Sequence, residues 1–275
     1  MKSDDCRHLA GRRTIPGAVC LALVCCVTQL AGVANAASDS PSATALIRVP
    51  PQNLDGKEIT TPFDMNEMKP FIDGQEGAMP TTFHKLIFKN QLLVDVVETS
   101  GVGVHFPNHP DDELVLVKAG TVTMTSDATG VAKTIRAGEW VVVPKGWVGW
   151  WRASPGEYRE LAIAASRVSG EAAPTANRDI SPIHVKPSTA AGNKTIYTGN
   201  VVVEEQNSSK SDRSVDQASD EAVQVLGGVL TLESGTSAQQ FGPGAVLVIP
   251  KGFKGKLHVS NGYHALVVRV PNAAH

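Results

Sequence analysis

The chain has 275 residues and carries 25 lysines and arginines against 27 aspartates and glutamates, which gives a net charge of −2 at pH 7. This length is typical of one large domain or two small ones. The charge is nearly balanced, and no basic run contains interleaved aromatic residues, so we expect no nucleic-acid partner.

The first 36 residues have the organisation of an export signal. A start with four basic residues extends to Arg13, an uncharged and mostly apolar run covers 15–33, and Ala34-Asn35-Ala36 forms a small-x-small cleavage site. We therefore predict a signal peptide over residues 1–36, a periplasmic or secreted mature protein, and no membrane association after cleavage. A transmembrane anchor is the less favoured alternative, because the apolar core of the run is short for a bilayer span. The general and the twin-arginine export routes both stay open.

Cysteine is confined to this segment. The four cysteines of the chain are Cys6, Cys20, Cys25 and Cys26. Cleavage would leave a chain without disulfides, thiolate nucleophiles or thiolate metal ligands, so its stability must come from a packed core. Cleavage would also remove four basic and two acidic residues, which leaves 21 lysines and arginines against 25 aspartates and glutamates, a net charge of −4.

The remaining chain divides into two similar halves. Ile47-Arg48-Val49-Pro50-Pro51 begins an ordered segment and has an echo in Ile183-His184-Val185-Lys186-Pro187, so we take these segments as the starts of two repeats. Residues 37–82 contain an irregular insertion that we expect to wrap over the first half. The predicted boundaries are 37–82 for an N-terminal arm, 83–166 for the first domain, 167–193 for a linker and entry strand, and 194–271 for the second domain.

Short runs rich in β-branched residues fill both halves, separated by glycine, aspartate and asparagine. The strongest signal is a segment that occurs twice, at 138–149 and at 244–255. Both copies read glycine, five residues, Pro-Lys-Gly, an aromatic residue, one residue and glycine, which is typical of a strand that ends in a turn. No window shows sustained helical periodicity. We predict an all-β fold built from a duplicated unit.

Each half also has a glutamate, six residues and a glycine ahead of this segment, at Glu113 with Gly120 and at Glu221 with Gly228. This pair of motifs resembles the motif pair of cupins. The Pro-Lys-Gly-aromatic-x-Gly ending is most similar to the cupin subfamily that includes (S)-ureidoglycine aminohydrolase. The resemblance implies two tandem cupin domains, each a jelly-roll β-barrel.

The resemblance also implies where a metal ion would bind. Catalytic cupins typically carry His-x-His, three or four residues and Glu, followed by a last His in the second motif. Here His109 and Glu113 match that pattern, whereas Pro107 takes the place of the first His and Gly149 that of the last. His105 precedes His109 by four residues and has the same strand parity if the strand stays regular. One hypothesis is therefore a Mn, Fe, Ni or Zn ion held by His105, His109 and Glu113. The alternative is a metal-free pocket in which His109 and Glu113 are hydrogen-bonded to each other.

The second half is poorer in metal ligands. Val215 and Gln217 stand at the two histidine positions, Gly255 stands at the last one, and only Glu221 is retained. We expect no metal there, and Gln217 and Glu221 are predicted to line a second pocket. The other histidines are predicted to lie on the surface or to be hydrogen-bonded; they are His84, His184, His258, His264 and His275.

All four tryptophans belong to the first copy of the repeated segment or follow it directly. By parity from Gly149, Trp147 and Trp151 point inward and Trp150 outward. With Arg152 and Tyr158 at the rim, the inward rings suggest a pocket for a ring or a sugar-like face, and core or dimer packing is an equally good explanation.

Two functions follow. The first is an exported protein that binds a small organic molecule in the N-terminal barrel with a weak metal site or none. The alternative is a metal-dependent enzyme of the aminohydrolase, isomerase or dioxygenase type that uses His105, His109 and Glu113. A small molecule is the expected partner in both cases, and a homodimer is compatible with both. Asp111 and Asp112 are predicted to be turn residues.

Overall fold

The structure, a computed structural model, describes residues 45–166, 179–185 and 191–271. The predicted signal peptide, all four cysteines, most of the predicted linker and His275 lie outside these ranges. Within them the chain is almost entirely β, which confirms the predicted fold class. Helical structure in these ranges consists of the short helix α1 (Pro51–Leu54) and two single 3₁₀ turns, Met65–Glu67 and Lys69–Phe71. None of the helices in the described ranges is long and apolar enough to span a bilayer.

Twenty-two strands form the described chain. In chain order they are β1 (Ile47–Arg48), β2 (Thr61–Pro62), β3 (Gly74–Glu76), β4 (Thr82–Lys89), β5 (Leu92–Thr99), β6 (Gly103–Phe106), β7 (Glu113–Ala119), β8 (Thr121–Ser126), β9 (Ala132–Arg136), β10 (Trp140–Val143), β11 (Gly149–Ala153), β12 (Tyr158–Ala165), β13 (Ser181–Ile183), β14 (Gly192–Thr198), β15 (Val202–Ser208), β16 (Ser211–Asp216), β17 (Glu221–Gly227), β18 (Leu230–Ser234), β19 (Ser237–Phe241), β20 (Val246–Ile249), β21 (Lys254–Val259) and β22 (Tyr263–Arg269).

The strands form four antiparallel sheets. A seven-stranded sheet (β13-β10-β7-β12-β5-β4-β2) and a five-stranded sheet (β3-β6-β11-β8-β9) make the first barrel. A six-stranded sheet (β1-β20-β17-β22-β15-β14) and a four-stranded sheet (β16-β21-β18-β19) make the second barrel. The order of strands in the two barrels corresponds, as the duplicated motifs predict.

The two larger sheets pack against each other, which explains their nearly continuous apolar sequences. On β7, Val115 and Val117 face the core of the first barrel, whereas Leu114 and Leu116 face a second core shared with the other repeat. That shared core also contains Val203, Val248 and Leu266 of the six-stranded sheet. Strands that bury both faces lose the alternation of apolar and polar residues that a half-exposed strand shows. The second barrel has its own core between its two sheets.

Each of the two similar entry segments pairs with the barrel of the other repeat. In β1, Ile47 pairs with Val248 of the second barrel, and in β13, Ile183 pairs with Trp140 of the first barrel. Each segment thus precedes one repeat in the sequence and completes the sheet of the other repeat. The equivalence of the two segments is real, but sequence similarity does not reveal which sheet edge is within reach of each.

Two equivalent buried aspartates join the barrels. Asp112, which is 1 % exposed, accepts hydrogen bonds from Lys145 N (2.7 Å) in its own barrel and from the Tyr197 hydroxyl (2.6 Å) and Asn200 N in the second. Asp220 is fully buried and bonds backbone donors of both barrels in the same way. Asp112 is thus a bridging acceptor rather than a simple turn residue. Each aspartate directly precedes a motif glutamate.

The N-terminal arm belongs in part to the first barrel. Strand β3 extends the five-stranded sheet by pairing with β6. Apolar side chains of the same region pack on the first-barrel core, namely Met68, Phe71, Ile72 and Met79. The arm thus adds apolar cover to the first barrel.

Candidate functional site

His105 lies on the outer face of the first barrel. It stands opposite Trp150 in the β6–β11 pair, while its neighbours Val104 and Phe106 point into the core. Its Nδ1 is 2.5 Å from Asp73 Oδ1 and its Nε2 is 2.9 Å from Asp127 Oδ2. Desolvation would lower the pKa of His105, but the two carboxylates outweigh it and raise the pKa. The ring is therefore held between two acids, away from the barrel interior.

His109 and Glu113 meet inside the barrel. His109 is 4 % exposed, and its Nε2 lies 3.4 Å from Glu113 Oε2 while its Nδ1 donates to the carbonyl of Asp111 at 2.8 Å. Strand β6 ends at Phe106, so residues 107–112 leave the strand and the parity that would align His105 with His109 is lost. The predicted metal site of three ligands is thus not assembled.

The donor set does not fit a resident metal ion. A catalytic zinc-type site needs three protein ligands around one position, and the first barrel brings two together. In the parts of the chain that the structure describes, no group of three or more His, Cys, Asp or Glu side chains is arranged to hold an ion.

Steric contacts explain why glycine stands at positions 149 and 255, where the resemblance to catalytic cupins would imply a histidine. A Cβ built on Gly149 would be 2.6 Å from Trp147 Cζ2 and would overlap the carbonyl oxygen of Thr125. A Cβ built on Gly255 would be 2.9 Å from Phe253 Cζ and would overlap the carbonyl oxygen of Glu233. In both repeats the aromatic residue of the Pro-Lys-Gly-aromatic turn thus occupies the space that a side chain two residues later would need.

We expect Gly149→Ala to lower the free energy of unfolding by about 1 to 3 kcal/mol, because the neighbouring backbone has to shift to admit a methyl group. Chemical denaturation followed by tryptophan fluorescence would measure the change. Gly242→Ala is the matched control, because nothing lies within 4 Å of a Cβ built there. Equal stability of the Gly149 variant and the parent would contradict this explanation.

Three of the four predicted pocket residues of the first barrel lie together in its core, and the fourth, Arg152, lies on the outer face. Trp147 and Trp151 are buried in the core, with ring centroids 6.5 and 6.3 Å from that of Phe106. Arg152 lies on the outer face, where its Nε donates to Glu76 Oε2 (2.8 Å) and its guanidinium covers the Trp150 ring at 4.5 Å. The hydroxyl of Tyr158, inside the barrel, donates to Glu160. Arg152 therefore does not share the interior position of the other three residues.

An acidic cluster occupies the inner face of the seven-stranded sheet. Glu160, Glu113 and Asp95 stand on the adjacent strands β12, β7 and β5, and Tyr158 is bonded to Glu160. Desolvation raises the pKa of Glu160 to about 8, and the charge of Glu113 adds to the shift. Desolvation also raises the pKa of Asp95, although His84 Nδ1 lies 2.8 Å from its carboxylate. A charged residue inside an apolar strand, as in Leu-Leu-Val-Asp-Val-Val, is the signal that could have identified this cluster.

An open cavity with a volume of about 300 Å³ lies in the second barrel. Its apolar wall consists of Val223, Leu230, Ile249, Leu257 and Val259. Its polar wall includes Gln206, Asn207, Ser208, Ser211, Arg213, Glu221 and Tyr263. Glu221, one of the two predicted residues of this pocket, lines the cavity directly. Gln217, the other predicted residue, contacts Glu221 rather than the cavity, and its Nε2 is 3.3 Å from Glu221 Oε2.

Smaller side chains account for this space. In the first barrel, Val104 lies opposite Trp151, and Phe106 lies opposite Gly149. At the equivalent positions of the second barrel, Arg213 lies opposite Leu257, and Val215 lies opposite Gly255. Leu257 thus takes the place of Trp151, and Val215 takes that of Phe106. Where the first barrel has Glu160 opposite Val117, the second has Ala265 opposite Val225. The tryptophans that suggested a pocket in the first barrel are part of the reason it is filled.

Two charged groups and a phenol converge on the cavity. Desolvation raises the pKa of Glu221, against the opposing influence of Gln217 and Arg213. Desolvation and the charge of Glu221 also raise the pKa of Tyr263. Arg213 lies inward on the edge strand β16 and is exposed at the cavity mouth. Within the described residues, its side chain has no hydrogen bond and no ion pair.

The remaining histidines are held by acids or lie on the surface. His258 Nδ1 is 2.8 Å from Asp212 on the outer face of the four-stranded sheet, and His264 Nε2 is 2.9 Å from Glu205. His184 is exposed. None of these three lines the cavity.

No family model and no curated protein matches this chain. Solved structures do match this chain. A protein of unknown function from Pseudomonas syringae, of the DUF861 family, is 16 % identical, with a TM-score of 0.55 over 83 % of this chain and 100 % of its own. A cupin 2 conserved barrel domain protein from Leptotrichia buccalis is 12 % identical, with a TM-score of 0.53 over 78 % and 98 %. The Escherichia coli protein Ylba, also DUF861, is 8 % identical, with a TM-score of 0.52 over 85 % and 94 %. These similarities establish that the chain has the cupin barrel fold.

Proposed function

We propose that this protein binds a small organic molecule in the cavity of its second barrel without the help of a metal ion. The observation that carries the proposal is the cavity itself, in which an apolar wall faces a polar wall that contains Arg213, Glu221 and Tyr263. Ligand sites in proteins combine such apolar surface with a few converging polar groups that fix orientation.

The size of the cavity limits the ligand. A volume of 300 Å³ is at the lower end of the range for small-molecule sites and equals the space of about ten water molecules. A ligand of roughly ten non-hydrogen atoms would fill it. Sugars of several rings, nucleotides and peptides are too large to be enclosed.

The first barrel supports this site in our proposal. Its interior is occupied by aromatic side chains and the acidic cluster. Its seven-stranded sheet packs against the six-stranded sheet of the second barrel. The pattern of residues 1–36 supports action in the periplasm or outside the cell. The resemblance to the aminohydrolase subfamily favours an enzyme instead, but the outward position of His105 removes one of the three ligands which that alternative requires.

Blocking the cavity tests the proposal. A panel of small neutral, anionic, cationic and zwitterionic compounds would be screened by methyl NMR on the purified protein. We expect hits to shift the methyl signals of Leu230 and Val259 in the cavity and to leave Val142 and Leu161 in the shared core unchanged. Ser211→Trp, at the cavity wall, should abolish these shifts, whereas Ser214→Trp, on the outer face of the same strand, should preserve them.

Two results would contradict the proposal. One is a set of hits whose shifts survive Ser211→Trp. The other is a purified protein that holds an equimolar transition metal and loses ligand binding when a chelator removes it.

A further inference from the structure

We infer that the ligand of the second-barrel cavity is a small carboxylate that carries a hydrogen-bond donor beside its carboxyl group, as hydroxy acids and amino acids do. This inference rests on the proposed function and names its ligand class. Arg213 would bind the carboxylate and Glu221 would accept from the donor.

Arg213 is available to an anion. On β16, Arg213 pairs with Leu257 and so belongs to the inward face of the strand. The acidic residues on either side of it face outward, where Asp212 is bonded to His258 and Asp216 to Lys254. The guanidinium therefore has no acid of its own strand to neutralise it. Its planar fork matches the two oxygens of a carboxylate, and such a paired hydrogen bond is stronger than one between neutral groups.

Glu221 is available to a donor. Its only side-chain hydrogen bond within the described chain is the 3.3 Å contact with Gln217 Nε2, which engages one of its two oxygens. It does not form an ion pair with Arg213, so the two charged groups leave a gap between them that a ligand can bridge. A hydroxyl or ammonium group placed in this gap would compensate for the desolvation of Glu221.

The apolar wall of the cavity limits the body of the ligand. Its residues are all aliphatic, namely Val223, Leu230, Ile249, Leu257 and Val259. A short aliphatic body therefore suits the space beside Arg213 and Glu221.

Four compounds with the same branched carbon body test this assignment. They are 3-methylbutanoate, 2-hydroxy-3-methylbutanoate, valine and valinamide, and methyl NMR titration of the full chain would give their dissociation constants. We expect the hydroxy acid, the amino acid or both to bind about tenfold or more tightly than 3-methylbutanoate, the equivalent of one added charge-assisted hydrogen bond. Valinamide, which lacks the carboxylate, should bind at least about tenfold more weakly than valine. Comparing the hydroxy acid with valine shows whether the donor is a hydroxyl or an ammonium group.

Variants assign the two contacts separately. Arg213→Gln should weaken all three acids by about tenfold or more. Glu221→Leu, whose side chain has no acceptor, should remove the advantage of the compounds with a donor and should not weaken 3-methylbutanoate. Lys256→Gln is the matched control for lost positive charge, because Lys256 lies on the outer face of the neighbouring strand opposite Ser214.

The outcomes separate the two proposals. If neutral or cationic compounds of the wider panel bind in the cavity while the three acids do not, or if Arg213→Gln leaves acid binding unchanged, the ligand class is overturned and the proposed function stands. If no compound of any class shifts the cavity methyls, both are overturned.

Discussion

Replacing Asp220 by alanine is expected to lower the free energy of unfolding by about 3 to 5 kcal/mol, close to the cost of breaking a buried charged network. Asp220 accepts hydrogen bonds from Gln91 N (2.7 Å) and Leu92 N (3.2 Å) of the first barrel and from Lys251 N (2.8 Å) of the second. Alanine would leave these three backbone donors without the fully buried carboxylate that accepts from them. Urea denaturation, monitored by far-ultraviolet circular dichroism, would measure the loss.

Two further variants make the result specific. Asp220→Asn keeps the shape but replaces one acceptor oxygen by a donor, so it too should be destabilising. Asp216→Ala removes an exposed acid of β16 that pairs with Lys254, and should change stability by less than about 0.5 kcal/mol. If Asp220→Ala lost no more stability than Asp216→Ala, the bridging role of Asp220 would be refuted.

Replacing Glu160 by glutamine is expected to make the protein more resistant to alkaline pH. Burial and the charge of Glu113 raise the pKa of Glu160 from 4.5 to about 8. Between these values the folded protein holds a proton that the unfolded chain has released. The stability associated with this group is therefore complete below about pH 4.5, falls as the pH rises, and is lost above about pH 8.

The expected loss for the parent protein is about 3 to 5 kcal/mol between pH 5 and pH 9, from a limiting slope of about 1.4 kcal/mol per pH unit. Glu160→Gln cannot release a proton, and its amide oxygen can still accept from the Tyr158 hydroxyl. The variant should match the parent near pH 5 and exceed it at pH 9. Denaturation curves across this range would show the difference, and parallel profiles for the two proteins would argue against a protonated Glu160.

The architecture was accessible from sequence because it depends on signals that are local and repeated. The two Pro-Lys-Gly segments end β10 and β20 at the same place in each barrel, and the alternating valines and leucines of β7 fill two cores. Such patterns hold wherever the sheets finally pack. They therefore predict an all-β, duplicated fold without any knowledge of long-range contacts.

The site was less accessible, because it depends on where strands stop and on which side chains meet across the barrel. His105 points outward because of its register opposite Trp150. The end of β6 at Phe106, one residue before Pro107, removes the strand parity that would align His109 with it. The filling of the first barrel follows from the combined bulk of Phe106, Trp147 and Trp151, and no single motif reports it. Arg213 belongs to no sequence motif, and only its register opposite Leu257 shows that it faces the inside of the barrel.

The exchanged entry strands bear on how such a chain could arise. Each repeat supplies a strand that completes the sheet of the other, so a protein with a single copy could complete its sheet only by exchanging this strand with a second molecule. Duplication within one gene converts that encounter between molecules into a contact within one polypeptide. The two copies of each residue can then change independently of each other. One barrel can become filled with side chains while the other keeps an open cavity.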